Sequence, residues 1–257
     1  MTFLHVESQG SGAPLVMLHG WGMHGGIWGS VGQQLAQRFR VHCVDLPGHG
    51  ASAPLPNFHL DGLVQALFAQ FAEPLTVCGW SLGGQVALRW GQLAPEQVRQ
   101  LVLVSSTPCF AEREDWPFGL AQETLQQFSS ELERDYAATL RRFLALQVRG
   151  SEHERELLSM LRRCLFSRGE PDLAALCGGL EILRDTDLRG ELPSIRQPAL
   201  IIAGERDKLT SPEAAYYMAQ ALPNACVVEI AGAAHAPFLS HPEIFVAHLM
   251  SFMESNN

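Results

Sequence analysis

Lysine is almost absent from this chain: of 18 basic residues only Lys208 is lysine, and nothing in the sequence gives that bias a physical reason. Positive charge as a whole is also short. The formal net charge is -9, which argues against attraction of the whole chain to nucleic acid or an anionic membrane, while leaving room for a local basic patch. The six cysteines, at 43, 78, 109, 164, 177 and 226, stand singly, with no CxxC pair and no metal-ligand spacing. They read as buried, reduced thiols, and Cys43, Cys78 and Cys226 lie in apolar, strand-like runs. No basic residue precedes Arg38 and no long apolar segment follows the first methionine, so no signal peptide is expected. No apolar run approaches the roughly 18 residues that a bilayer span needs. A soluble, cytoplasmic protein without metal or other cofactor is the expectation.

What is present is a 257-residue chain, 47% hydrophobic and 18% charged, enough for one large domain or a domain with an insertion. Short apolar, β-branched runs alternate with helical patterns. Leu15–Leu18, Val41–Leu46, Leu75–Cys78, Leu101–Val104, Leu200–Ala203 and Val227–Ile230 read as strands. Phe58–Phe71, Gln85–Leu93 and Pro212–Leu222 read as helices. Strands buried on both faces and separated by helices predict an α/β fold with a mostly parallel sheet. The alternation stops in the middle of the chain. There Leu125, Phe128, Leu132, Tyr136, Leu140, Phe143 and Leu144 fall three or four apart, a helical period, and Arg155–Leu165 is a second helical stretch. Residues 108–187 therefore read as a helical cap inserted into a core formed by 1–107 and 188–257. In open α/β sheets ligands sit at the carboxyl ends of the strands, which such a cap would cover.

Gly79-Trp80-Ser81-Leu82-Gly83 directly follows one of these strands. It fits G-x-S-x-G, in which a sharp strand-to-helix turn exposes a serine and glycines avoid clashes on either side. A serine hydroxyl needs a base. Of ten histidines, His235 stands apart: it lies in Gly232-Ala233-Ala234-His235-Ala236-Pro237, just after the last strand and among small residues. His241 reads as a surface residue at the start of the final helix, and His49 as a turn residue. A carboxylate should orient the imidazole. Asp207 follows the strand ending at Ala203, with Glu205 a competitor closer to the strand end. The order Ser81, Asp207, His235 is that of α/β-hydrolases, an α/β-hydrolase fold being the architecture expected. Backbone N–H groups of Leu82, after the serine, and of Trp21, in the loop His19-Gly20-Trp21-Gly22, are the expected oxyanion donors. His19 is expected to brace that loop and Asp45 to serve structure. A serine nucleophile also separates the chain from the aspartate-using dehalogenase and epoxide-hydrolase branches.

Between residues 134 and 168 the chain carries eight arginines and four acids, a local balance of +4. This is either a solvated helix face with internal ion pairs or a docking surface for an acidic protein or a phosphate-bearing substrate. The stretches Leu18-His19-Gly20-Trp21-Gly22, Thr107-Pro108-Cys109-Phe110, Trp116-Pro117, Arg142–Gln147, Gly178–Leu183 and Ala233–Pro242 together resemble the pimeloyl-[acyl-carrier protein] methyl ester esterases of biotin biosynthesis. The resemblance implies demethylation of a pimeloyl chain still attached to its acidic carrier protein. It implies Ser81, Asp207 and His235 as catalytic residues, and Trp21 and Leu82 as oxyanion and substrate contacts. It also implies an acyl-binding stretch Phe143, Leu144, Ala145, Leu146 and Gln147, with simple cap core as the alternative reading of Phe143 and Leu144. Arg142 and Arg155 match arginines expected to face the carrier. Two further positions where arginine is expected hold Ala138 and Ser159, so Arg141, Arg162 and Arg163 stand as neighbouring substitutes. No nucleic-acid or membrane partner and a monomer are expected. The rival readings are a generalist esterase or carbon–carbon bond hydrolase, and a ligand receptor retaining the triad.

Overall fold

The computed structural model describes residues 3–255. In chain order the elements are β1 (Val6–Gln9), β2 (Pro14–Leu18), α1 (Gly29–Leu35), β3 (Arg40–Val44), α2 (Leu60–Gln70), β4 (Leu75–Trp80), α3 (Leu82–Leu93) and β5 (Val98–Val104). Next come α4 (Gln122–Arg134), α5 (Tyr136–Val148), α6 (Glu154–Leu165) and α7 (Leu173–Asp185). The chain closes with β6 (Ala199–Gly204), α8 (Pro212–Ala221), β7 (Ala225–Ile230), α9 (Pro237–Ser240) and α10 (Pro242–Ser255).

The strands form one sheet in the order β1-β3-β2-β4-β5-β6-β7. β1 is antiparallel to β3 and all other pairings are parallel. The central strands β4 and β6 are buried along their whole length, which is why they read as unbroken apolar runs. β1 gave no such signal: Val6-Glu7-Ser8-Gln9 has one apolar residue, half-buried, and lies at the sheet edge. The opposite edge brings a correction. Cys226 lies in an apolar run, but β7 is an edge strand covered only in part, and the Cys226 thiol is exposed. Cys164 and Cys177 are half-buried, whereas Cys43, Cys78 and Cys109 are buried; all six are free. Burial pushes the Cys43 thiol up to about 12, so it stays protonated.

Helices α3 and α8 pack on the sheet, α3 against β4 and β5 and α8 against β6 and β7, while α1 packs with α10. The four helices α4–α7 lie between β5 and β6 and pack on one another. The helical period through residues 125–144 runs unbroken in sequence, but the chain breaks at Asp135, whose carboxylate accepts the Ala138 N–H and caps α5. Leu140, Phe143 and Leu144 of α5 are at most 6% exposed. Burying each contributes on the order of 1.5–3 kcal/mol. The two connections of this helical region are stitched together. Cys109 pairs with Asp187, and the Leu188 N–H donates to the Pro108 carbonyl. Arg189 bridges Asp187 and Asp115 and lies over the Trp116 ring, whose indole N–H donates to the Cys109 carbonyl.

Candidate active site

β4 delivers Ser81 to the carboxyl edge of the sheet, and α3 begins at the next residue. The turn forces Ser81 to φ 56° and ψ -118°. A non-glycine residue held there stores roughly 1–3 kcal/mol of strain. The surroundings hold it in place. Its N–H donates to the Val104 carbonyl at 2.9 Å, and its carbonyl accepts from the Gly84 N–H at 2.9 Å and the Ser106 hydroxyl at 2.8 Å. A Cβ on Gly79 would lie 2.1 Å from the Gly83 carbonyl oxygen, and one on Gly83 would lie 2.6 Å from that of Leu18. These clashes explain the glycines two residues either side of the serine.

The Ser81 hydroxyl donates to His235 Nε2 at 2.9 Å, and His235 Nδ1–H donates to Asp207 Oδ2 at 2.8 Å. All three residues are buried. His235 sits in the loop between β7 and α9; Asp207 lies in the loop between β6 and α8. Those loops are locked together: the Arg206 N–H donates to the Ala233 carbonyl and the Gly232 N–H to the Glu205 carboxylate. Glu205, the rival for the acid role, is thereby occupied in bracing the loop. Burial pushes the Asp207 carboxyl up. Its proximity to His235, together with hydrogen bonds from His235 and Thr210, outweighs that push and holds it below the ordinary carboxylate range.

Thr210 gave no signal in the sequence. Its N–H and that of Leu209 donate to Asp207 Oδ1, and its hydroxyl donates to Oδ2 at 2.7 Å. The spacing Asp-x-x-Thr after a strand is the pattern that could have pointed to it. Ser106 likewise has no local signal, because its contact with the Ser81 carbonyl links the segments that follow β4 and β5, 25 residues apart.

The loop carrying Trp21 comes close to the serine: a Cβ on Gly20 would lie 3.2 Å from the Ser81 Cβ. The backbone N–H groups of Trp21 and Leu82 donate to no group among the described residues. His19 braces this loop, donating from Nδ1 to the Gly20 carbonyl and accepting the Leu46 N–H at Nε2. Burial, with His49 beside it, lowers its pKa to about 3, so the ring stays neutral and can accept. Asp45 accepts from the Gly25 and Ala51 N–H groups and from Arg168.

Helix α5 lies against this assembly. The His235 N–H donates to the Gln147 carbonyl at 3.1 Å, and Phe143 meets the Trp21 ring edge-on at 4.9 Å. The Trp21 indole N–H donates to the Leu176 carbonyl of α7, and a Cβ on Gly179 would lie 2.6 Å from that ring. Phe143, Leu144 and Gln147 are buried, while Ala145 and Leu146 are half-buried. The Gln147 side-chain amide has no hydrogen-bond partner among the described residues.

The arginines divide. Arg142 pairs with Glu131 and lies over the Phe128 ring; Arg141 lies over Phe166; Arg168 is consumed by Asp45 and Glu7. Arg155, Arg162 and Arg163 are exposed, line a groove of about 380 Å³ on α6 with Leu158 and Ser159, and make no ion pair among the described residues. Among the described residues no group of three or more His, Cys, Asp or Glu could hold a metal ion, and no helix is long and apolar enough to cross a membrane.

Residues 13–242 match the family model of the alpha/beta hydrolase fold. The pimeloyl-[acyl-carrier protein] methyl ester esterase of Nitrosomonas europaea is 50% identical over 96% of this chain and 98% of its own length. That of Chromobacterium violaceum is 43% identical over 98% of each. Among solved structures, an esterase from Exiguobacterium antarcticum superposes with a TM-score of 0.90 at 25% identity, covering 98% of this chain and 96% of that one. The chain thus belongs to the α/β-hydrolase fold family and, within it, to the pimeloyl-[acyl-carrier protein] methyl ester esterases.

Proposed function

We propose that this protein hydrolyses the methyl ester of a pimeloyl chain carried on acyl carrier protein, releasing methanol and the free carboxylate, as a step of biotin biosynthesis. The unbroken hydrogen-bond chain from Ser81 through His235 to Asp207 carries the mechanistic half of this reading. His235 takes the Ser81 proton as the oxygen attacks the ester carbonyl. The oxyanion forms against the Trp21 and Leu82 N–H groups. His235 then gives its proton to the departing methoxide, leaving Ser81 acylated. A water, deprotonated by His235, attacks the acyl-enzyme and frees the acid. Asp207, kept ionised, fixes the imidazole tautomer and stabilises the imidazolium.

The region 108–187 is the specificity element in this proposal. Phe143 to Leu146 line the acyl chain, and the Gln147 amide, which has no partner among the described residues, serves a polar group of the substrate. The acidic carrier docks on Arg155 and Arg162, with Arg163 beside them. Arg142 and Arg141 border the surface and are already engaged with α4 and Phe166. The names of the relatives, which specify a carrier-bound ester, support the docking reading.

The test compares methyl pimeloyl-carrier with free methyl pimelate. Carrier attachment should raise kcat/KM at least tenfold, and the gain should fade between low salt and about 0.5 M, where surface charges are screened within a few ångströms. Equal kcat/KM for the two substrates would favour a generalist esterase on the same scaffold. No ester turnover at all would leave only a ligand-binding role.

A further inference from the structure

His235 is held by more than its ring. Its backbone carbonyl accepts the indole N–H of Trp80 at 2.7 Å, and its own N–H donates to the Gln147 carbonyl. Trp80 is the residue immediately before Ser81 and is completely buried. Its ring lies 5.7 Å from the imidazole and 5.1 Å, edge-on, from Phe238. On the other side Phe238 packs on Trp28 at 4.4 Å. Two buried indoles thus flank one phenylalanine. One donates its N–H to the peptide of His235; the other, Trp28, has no partner for its N–H among the described residues.

We propose that Trp80 is a positioning residue: its indole N–H, hydrogen-bonded to the His235 carbonyl, fixes the distance between the serine turn and the histidine loop. The proposal rests on His235 being the base for Ser81. Its physical logic is local. The loop 231–236 has no regular ladder to hold it, and a buried carbonyl without a partner is unfavourable enough to make a loop shift. The nucleophile and the Trp80 ring belong to adjacent residues, so any change in the serine turn reaches the base through one side chain. Reacting groups must be held within about 0.5 Å, and a 1 Å error can cost about a hundredfold in rate. His235 serves both acylation and deacylation, so loss of its anchor slows both steps without weakening substrate contacts.

The matched pair of indoles supplies the experiment. Trp80→Phe and Trp28→Phe each remove an indole N–H from the same aromatic stack, but only the first breaks a hydrogen bond. With p-nitrophenyl butyrate, Trp80→Phe should lower kcat by about tenfold to a hundredfold with KM within about twofold. Trp28→Phe should keep kcat and, because it removes a buried N–H that has no partner among the described residues, should lose less thermal stability than Trp80→Phe. Equal kcat in the two variants, or a loss in Trp80→Phe that appears in KM, overturns the proposal. Should Trp80→Phe not fold, the wild-type protein answers by NMR. Phosphonylation of Ser81 should move the Trp80 indole N–H resonance and leave that of Trp28 in place; an unmoved Trp80 resonance overturns the proposal. A Ser81→Ala variant run alongside separates the two ideas: an active Ser81→Ala refutes the triad itself, whereas an inactive one beside a fully active Trp80→Phe refutes only the role of Trp80.

Discussion

Asp207 receives four hydrogen bonds and His235 is held through its ring and both backbone groups, whereas Arg155, Arg162 and Arg163 extend from α6 without an ion pair among the described residues. The same chain is densely hydrogen-bonded around Asp207 and His235 and left open on α6. Chemistry shared by a whole fold needs fixed geometry, because reacting atoms tolerate little displacement. Recognition of a protein partner places its demands elsewhere: exposed charges steer an encounter, and the partner supplies the counterions. An isolated surface pair would contribute only about 0–1 kcal/mol to this protein's own stability, so leaving these arginines unpaired costs the fold little.

The sharpest test of the wired region is Ser81→Ala. We expect kcat on short p-nitrophenyl esters to fall by about 10⁴-fold or more, with a melting temperature within a few degrees of wild type. Substantial residual turnover would mean that the strained serine is not the nucleophile and that the contrast between the two regions is wrongly drawn.

The open region should respond on one substrate only. Reversing Arg155, Arg162 and Arg163 to glutamate should lower kcat/KM for a carrier-bound methyl ester by about a hundredfold at low salt and leave p-nitrophenyl butyrate turnover unchanged. The difference from wild type should shrink as salt rises. If both substrates suffer equally, α6 supports the fold or the pocket and the docking surface lies elsewhere.

The two regions were also unequally legible in sequence. The parallel strands announced themselves because burial on both faces makes their residues continuously apolar, and the Gly-x-Ser-x-Gly spacing encodes a steric need that the clashes at Gly79 and Gly83 account for. β1 was silent because an edge strand with one half-buried valine has no such pattern. Thr210 and Ser106 were silent for another reason: a serine or threonine becomes a positioning group only through a tertiary hydrogen bond, and no local rule marks it. The break at Asp135 is similar, since the apolar period runs straight across a cap residue. Cys226 is exposed despite its apolar run because such a run says nothing about which strand ends the sheet. Around α6 the sequence supplied charge but not its availability, and pairing took Arg142 of α5 and Arg168, just beyond α6, out of the free set.

The wired region also carries a cost in acid. His19 is fully buried and its pKa is lowered to about 3, chiefly by burial and then by His49. The folded state keeps the ring neutral, with Nε2 accepting the Leu46 N–H; a protonated ring has no lone pair to accept it. The unfolded chain binds a proton near pH 6.5. Below that pH the unfolded state therefore takes up protons that the folded state refuses, so this contribution to stability is present above pH 6.5 and is lost as pH falls. His24 and His49 are shifted down as well, first by burial, and act with the same sign. From pH 7 to pH 5, His19 alone should remove about 2 kcal/mol of unfolding free energy. His19→Gln retains an acceptor for the Leu46 N–H and cannot titrate. It should be less stable than wild type at pH 7, yet lose about 2 kcal/mol less on going to pH 5, as read by urea unfolding at the two pH values. An unchanged pH slope in His19→Gln would move the acid sensitivity away from the loop that carries Trp21.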